Sequence, residues 1–100
     1  MNEVKLNLNE KGRGGFYAMD GEKQIGEMEV SVSGNSLVVY HTEVDPASEG
    51  KGVAKQMLAT MVDYARNNDL KVVPLCPYVH AQFKRHAKDY EDVWNKVNEV

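Results

Sequence analysis

Two short clusters carry the residue types that chemistry needs, and both lie where the chain changes direction. The first is "HTEVDPASEGKGVAKQML", residues 41–58. It starts strand-like, breaks at Asp45 and Pro46, and feeds Gly50 and Gly52 into a helical pattern. Glycine is a poor helix former, so two of them around Lys51 at a helix mouth imply that something approaches the backbone closely. The first amides of a helix have no internal partners and sit at the positive end of its dipole. A phosphate docks well there when no side chain obstructs it, and Lys51 adds a cation. The same glycines also suit a tight loop with no ligand.

The second cluster is "VVPLCPYVH", residues 72–80. Pro77 suits the first position of a helix, which puts Cys76 at the N-cap. The helix field favours a thiolate at that point, and a thiolate can attack a thioester. A free cysteine after an apolar run also reads as core packing. His41, in the far half of a strand, is expected to be able to face Cys76 and to act as a general base, since histidine exchanges protons near neutral pH. A histidine that merely props the loop fits equally well. Glu43 shares its face by strand alternation and is a second candidate base, or else a solvated surface charge. His80, one turn beyond Cys76, reads as helix surface. Lys84, Arg85 and His86 form a basic cluster that suits a phosphate or a solvated helix end. No spacing of His, Cys and carboxylate resembles a metal site.

The elements that must position these residues follow from periodicity. "VKLNLN" alternates at Val4, Leu6 and Leu8, the period of a half-buried strand. "EKGRGG" reads as a glycine-rich turn, followed by the short strand "FYAMD" and an Asp20-Gly21 turn. "QIGEMEVSVS" alternates again, with an ambiguous register at Gly26. "LVVYHTEV" is more continuously apolar and is therefore expected at the centre of the sheet. From Val53 to Ala65 the period changes to that of an amphipathic helix, which "RNNDL" ends with Asn67 or Asn68 left-handed. "KVVPL" is a short buried strand closed by Pro74. A helix from near Pro77 and another over "DYEDVWNKV", packing Val93, Trp94 and Val97, complete the chain. The fold class is α+β: an antiparallel meander, a crossover helix, a parallel fifth strand and C-terminal helices. Ligands in such sheets sit beyond the carboxyl ends of the strands, where Gly50 and Gly52 fall.

With 100 residues the chain makes one domain, residues 1–100. Its net charge of −3 argues against a nucleic-acid partner, which needs a basic face. No apolar run is long enough for a membrane span and the polar start is no signal peptide. A sole cysteine fits a reducing compartment, so a cytoplasmic location is expected.

"EGKGVA" resembles the acyl-CoA pyrophosphate loop of the GNAT acetyltransferase superfamily, with Gly52 and Ala54 at its last two fixed positions. With "HTEV", "DYARNNDLKVVPLCPYV" and "RH", the stretch from about Leu37 to Trp94 is similar to the small GNAT-like proteins of roughly 100 residues. The resemblance implies a mixed sheet that splays open, with the pantetheine arm of acetyl-CoA between strands four and five. It implies cofactor contacts at Val44, Gly50, Lys51, Gly52, Val53 and Ala54, with Lys84 and Arg85 towards the 3′-phosphate. It also makes Cys76 the suspected catalytic residue. Glu49 departs from the pattern, which has Arg or Gln there, and the missing N-terminal helices leave the acceptor face open. The function so implied is acetyl transfer from acetyl-CoA to an unidentified amine, directly with His41 or Glu43 as base, or through Cys76. A non-catalytic acyl-CoA-binding module or partner-regulated adaptor is the rival.

Overall fold

The computed structural model describes residues 2–96. Strands β1 (Glu3–Leu8), β2 (Arg13–Asp20), β3 (Lys23–Ser33) and β4 (Ser36–Val44) form an antiparallel meander. Helix α1 (Val53–Asn67) then crosses over, and β5 (Lys71–Pro74) pairs parallel to β4, giving the order β1-β2-β3-β4-β5. Helix α2 (Pro77–Arg85) and a short α3 (Ala87–Tyr90) follow. This is the expected α+β mixed sheet; β4 is interior, between β3 and β5, while β3 holds the centre. No described helix is long and apolar enough to cross a membrane.

The stripe read from the sequence is the buried face of α1: Val53, Met57, Leu58, Met61, Val62 and Ala65. It packs over Phe16, Ala18, Met28, Val30, Leu37 and Val39, all essentially inaccessible. Burying a side chain of this size stabilises by about 1.5–3 kcal/mol, so this interface holds the helix on the sheet. The helix comes close to the sheet at Gly26. A Cβ there would lie 2.9 Å from Val53 Cγ1 and 3.0 Å from Met57 Cε, so only glycine lets the first turn of α1 sit this low. The register ambiguity beside Gly26 is a β-bulge, where Ala18 pairs with Gly26 but Met19 with Gln24.

Three expectations are corrected. Gly14 and Gly15 belong to β2 rather than to the turn, because β2 passes so close to β1 that a Cβ on Gly14 would fall 1.9 Å from Asn7 O. At the end of α1 the left-handed residue is Asp69 (φ 53), while Asn68 caps the helix through its side chain, donating to Tyr64 O at 2.8 Å. The segment "DYEDVWNKV" is not a long helix: beyond Tyr90 it becomes an edge for β5. Val72 N donates to Val93 O at 2.6 Å and Asn95 N to Val72 O at 2.9 Å. Pairing the outer edge of β5 outweighs another helical turn, since that edge would otherwise leave backbone groups unpaired. Trp94 still packs inward against Phe83, on which Tyr90 stacks, while Val97 lies outside the described residues.

Candidate active site

Strands β4 and β5 stay paired only as far as Val39 and Pro74. One further bond, from Cys76 N to Val39 O at 2.9 Å, ends the ladder. From there β4 runs on to Val44 while the other chain turns into α2, so a gap opens between them. Cys76 is the N-cap of α2 with Pro77 at its first position, as the sequence indicated. Its side chain is 2% exposed, and its Sγ lies 3.2 Å from Thr42 Oγ1 at the point where the strands part.

The structure does not bring His41 to Cys76. Strict alternation would put His41 and Glu43 on the same face as Val39. A bulge at Tyr40 intervenes: Val39 opposes Val30, but His41 opposes Glu29. The extra residue reverses the alternation, so Thr42 joins the core face and His41 and Glu43 turn to the open face. They do share a face, as expected: His41 Nε2 is 3.8 Å from Glu43 Oε1, with side chains 58% and 73% exposed. Thr42 was missed because no sequence signal marks the bulge.

At the other end of the gap lies a groove of about 280 Å³. It is walled by Val44, by Ser48, Glu49, Gly50 and Gly52 from the loop, by Val53, Ala54 and Lys55 from α1, and by Tyr78 from α2. Gly52 is the N-cap of α1 in a left-handed conformation (φ 78) and offers no side-chain cap. The first backbone bond of the helix runs from Gln56 N to Gly52 O, which leaves the preceding amides without a partner among the described residues. Gly50 is left-handed as well (φ 82), and a Cβ on either glycine would meet nothing within 4 Å. The approach to the helix end is therefore open. Lys51 is exposed and does not line the groove; Lys55 does. Lys84 and Arg85 are exposed at the far end of α2, roughly 12 Å along the helix from Cys76, and do not line the groove either.

Tyr78 is the least expected member of the site. Its hydroxyl is buried and has no hydrogen-bond partner among the described residues. Burial pushes the phenol above its ordinary value, with smaller contributions from Tyr90 and Cys76. Its position two residues beyond Cys76, where helical side chains lean back towards the N-terminus, was the available signal.

A parallel strand pair that parts midway, with an uncapped helix end at one end of the gap and a buried thiol at the other, is the architecture of an acyl-CoA-binding acyltransferase domain. The family model for GCN5-related N-acetyltransferases matches residues 15–93, and the chain belongs to that family. Among proteins of curated function, none matches the sequence significantly. Solved structures share the fold. A GCN5-like protein from Staphylococcus aureus, determined by NMR, is 29% identical at a TM-score of 0.70, covering 93% of this chain and 87% of its own. The ribosomal-protein-S18-alanine N-acetyltransferase of Escherichia coli is 15% identical at 0.61, covering 67% of this chain. This chain spans only 43% of that enzyme's length. AAC(6')-Iy, solved in complex with a CoA bisubstrate analogue, is 20% identical at 0.53, covering 86% of this chain and 64% of its own. The family uses acetyl-CoA, and the residues present here fit it: open amides at a helix end, and a mainly apolar groove lined by a tyrosine whose buried hydroxyl has no partner among the described residues.

Proposed function

We propose that this chain binds acetyl-CoA along the gap between β4 and β5 and transfers the acetyl group to an amine. The observation that carries this reading is the alignment of the uncapped α1 terminus, the groove under Tyr78 and the Thr42–Cys76 contact along a single opening. When bound, the thioester supplies an acetyl group already activated towards amines. The amides of residues 53–55 and Lys55 hold the pyrophosphate, with Lys51 adding charge from solvent. Val44 and Tyr78 wall the groove. Glu43 or His41, on the exposed face, takes the proton of an incoming ammonium and passes it to water. As the C–N bond forms and the C–S bond breaks, Tyr78, protonated at neutral pH, gives its proton to the departing sulfur, and the second proton released by the nitrogen restores the phenol through water. A reducing, cytoplasmic setting keeps the thiol of Cys76 free.

The Thr42–Cys76 contact favours a second reading, in which Cys76 accepts the acetyl group first. Both readings predict the same binding site. An amide-shift titration with CoA should move residues 49–56 and Tyr78, and amine-dependent thiol release should exceed background. Shifts elsewhere, or none at millimolar CoA, would overturn the site. Binding without amine-dependent release would leave a non-catalytic acyl-CoA-binding module.

A further inference from the structure

We propose that β1 pairs antiparallel with β1 of a second copy of this chain, joining the two five-stranded sheets into one. The two edges of the sheet are finished differently. The β5 edge is covered by the chain's own Val93–Asn95. The β1 edge pairs with β2 in an unbroken register from Glu3 to Leu8, and it contains no proline and no bulge. Natural edges are commonly blunted by such devices, and this one carries only the charges of Glu3 and Lys5.

The hydrogen-bond phase shows what that edge offers. Asn9 N donates to Arg13 O at 2.8 Å, so odd-numbered residues of β1 bond to β2. On the far side of β2, Val32 N donates to Gly12 O at 2.7 Å, which fixes the even-numbered residues of β2 towards β3 and agrees with that phase. The N–H and C=O groups of Val4, Leu6 and Leu8 therefore point outward, and no described residue bonds to them. Asn2 is different, since its carbonyl accepts from Gln56 Nε2 at 2.9 Å.

A two-fold pairing must match outward groups with outward groups and core face with core face. Both conditions require an even residue to oppose an even one. Centred on Leu6, Val4 opposes Leu8 and Leu6 opposes itself, while Lys5 faces Asn7 and Glu3 faces Asn9. Apolar residues meet apolar residues over the whole strand, and no like charges meet. Of the two neighbouring registers, the one centred on Lys5 sets two lysines directly opposite each other, and the one centred on Asn7 sets Val4 opposite Glu10. Backbone phase, apolar pattern and charge thus select one register, and the occupant they fit is a second β1.

Sedimentation equilibrium against concentration tests this, because at about 1 mM protein a dimer of millimolar Kd is substantially formed. The expected mass rises from 11.2 kDa towards twice that value. Leu6→Pro removes an outward donor, keeps the bonds to β2, and should return the protein to monomer with its amide spectrum otherwise folded. Asn7→Glu would face Lys5 of the other copy and should tighten the dimer roughly three-fold, whereas Asn7→Lys should weaken it. These two exposed changes decide the matter even if Leu6→Pro fails to fold. A monomer at about 1 mM, a dimer indifferent to a folded Leu6→Pro, or a dimer weakened by Asn7→Glu would each overturn the proposal.

Discussion

Replacing Tyr78 by phenylalanine should make the protein more stable and less active. The ring packs as before, but the buried hydroxyl without a partner is removed. Leaving such a group unpaired costs about 1–3 kcal/mol. Because Tyr78 is only partly buried as a residue, the lower end applies, and a gain of about 1 kcal/mol is expected. In a domain of this size that raises the melting temperature by roughly 4–8 °C. Acetyl transfer should fall at the same time, by about 10²-fold or more if the phenol is the acid for the departing sulfur. Urea and thermal melts by circular dichroism, alongside a thiol-release assay with saturating amine, read both effects. The pH dependence adds a check. Burial raises the phenol above 10.0, so the wild type keeps this contribution below about pH 10 and loses it as pH rises through the higher folded value. The advantage of the variant should therefore widen above pH 10. A less stable Tyr78→Phe would show that the hydroxyl is satisfied in solution. Unchanged transfer would remove Tyr78 from the chemistry.

Gly26→Ala should destabilise the fold by about 1–3 kcal/mol, because its Cβ presses on Val53 and Met57, and it should weaken CoA binding by lifting the first turn of α1; an equally stable variant in urea melts would show that the helix yields freely. Cys76→Ser keeps a hydroxyl beside Thr42 and should retain most acetyl transfer if the amine attacks directly, so loss of activity in a folded, CoA-binding variant would favour the covalent route. Glu49→Gln removes a carboxylate from the groove wall and should tighten CoA binding a few-fold at low salt, with the gain shrinking as salt is added; weaker binding by calorimetry would mean that Glu49 makes a helpful contact. Asp92→Asn should cost up to about 1 kcal/mol at pH 7 by weakening the exposed pair with Arg66 at 2.8 Å. The bond from Arg66 holds the Asp92 carboxyl below its ordinary value, so the deficit should be present above about pH 4 and vanish as pH falls through the lowered value. A deficit that persists in acid would assign it to another cause.

The sequence by itself determined the elements whose signals are local. A period of two in β1 and the apolar stripe of α1 are set by which residues are apolar, and the structure buries those same faces. The helix starts at Val53 and Pro77 were equally legible, because glycine and proline constrain the backbone at their own positions. Tertiary structure decided which side chains meet. The bulge at Tyr40 depends on how β4 lies against β3, and one extra residue there exchanged His41 for Thr42 at the thiol. Tyr78 of α2 shares a groove with the first turn of α1, a neighbour far away in sequence, and its hydroxyl is left without a partner among the described residues. The last segment became an edge strand because the unpaired edge of β5 lay beside it, a demand set by neighbours in space that no local pattern records.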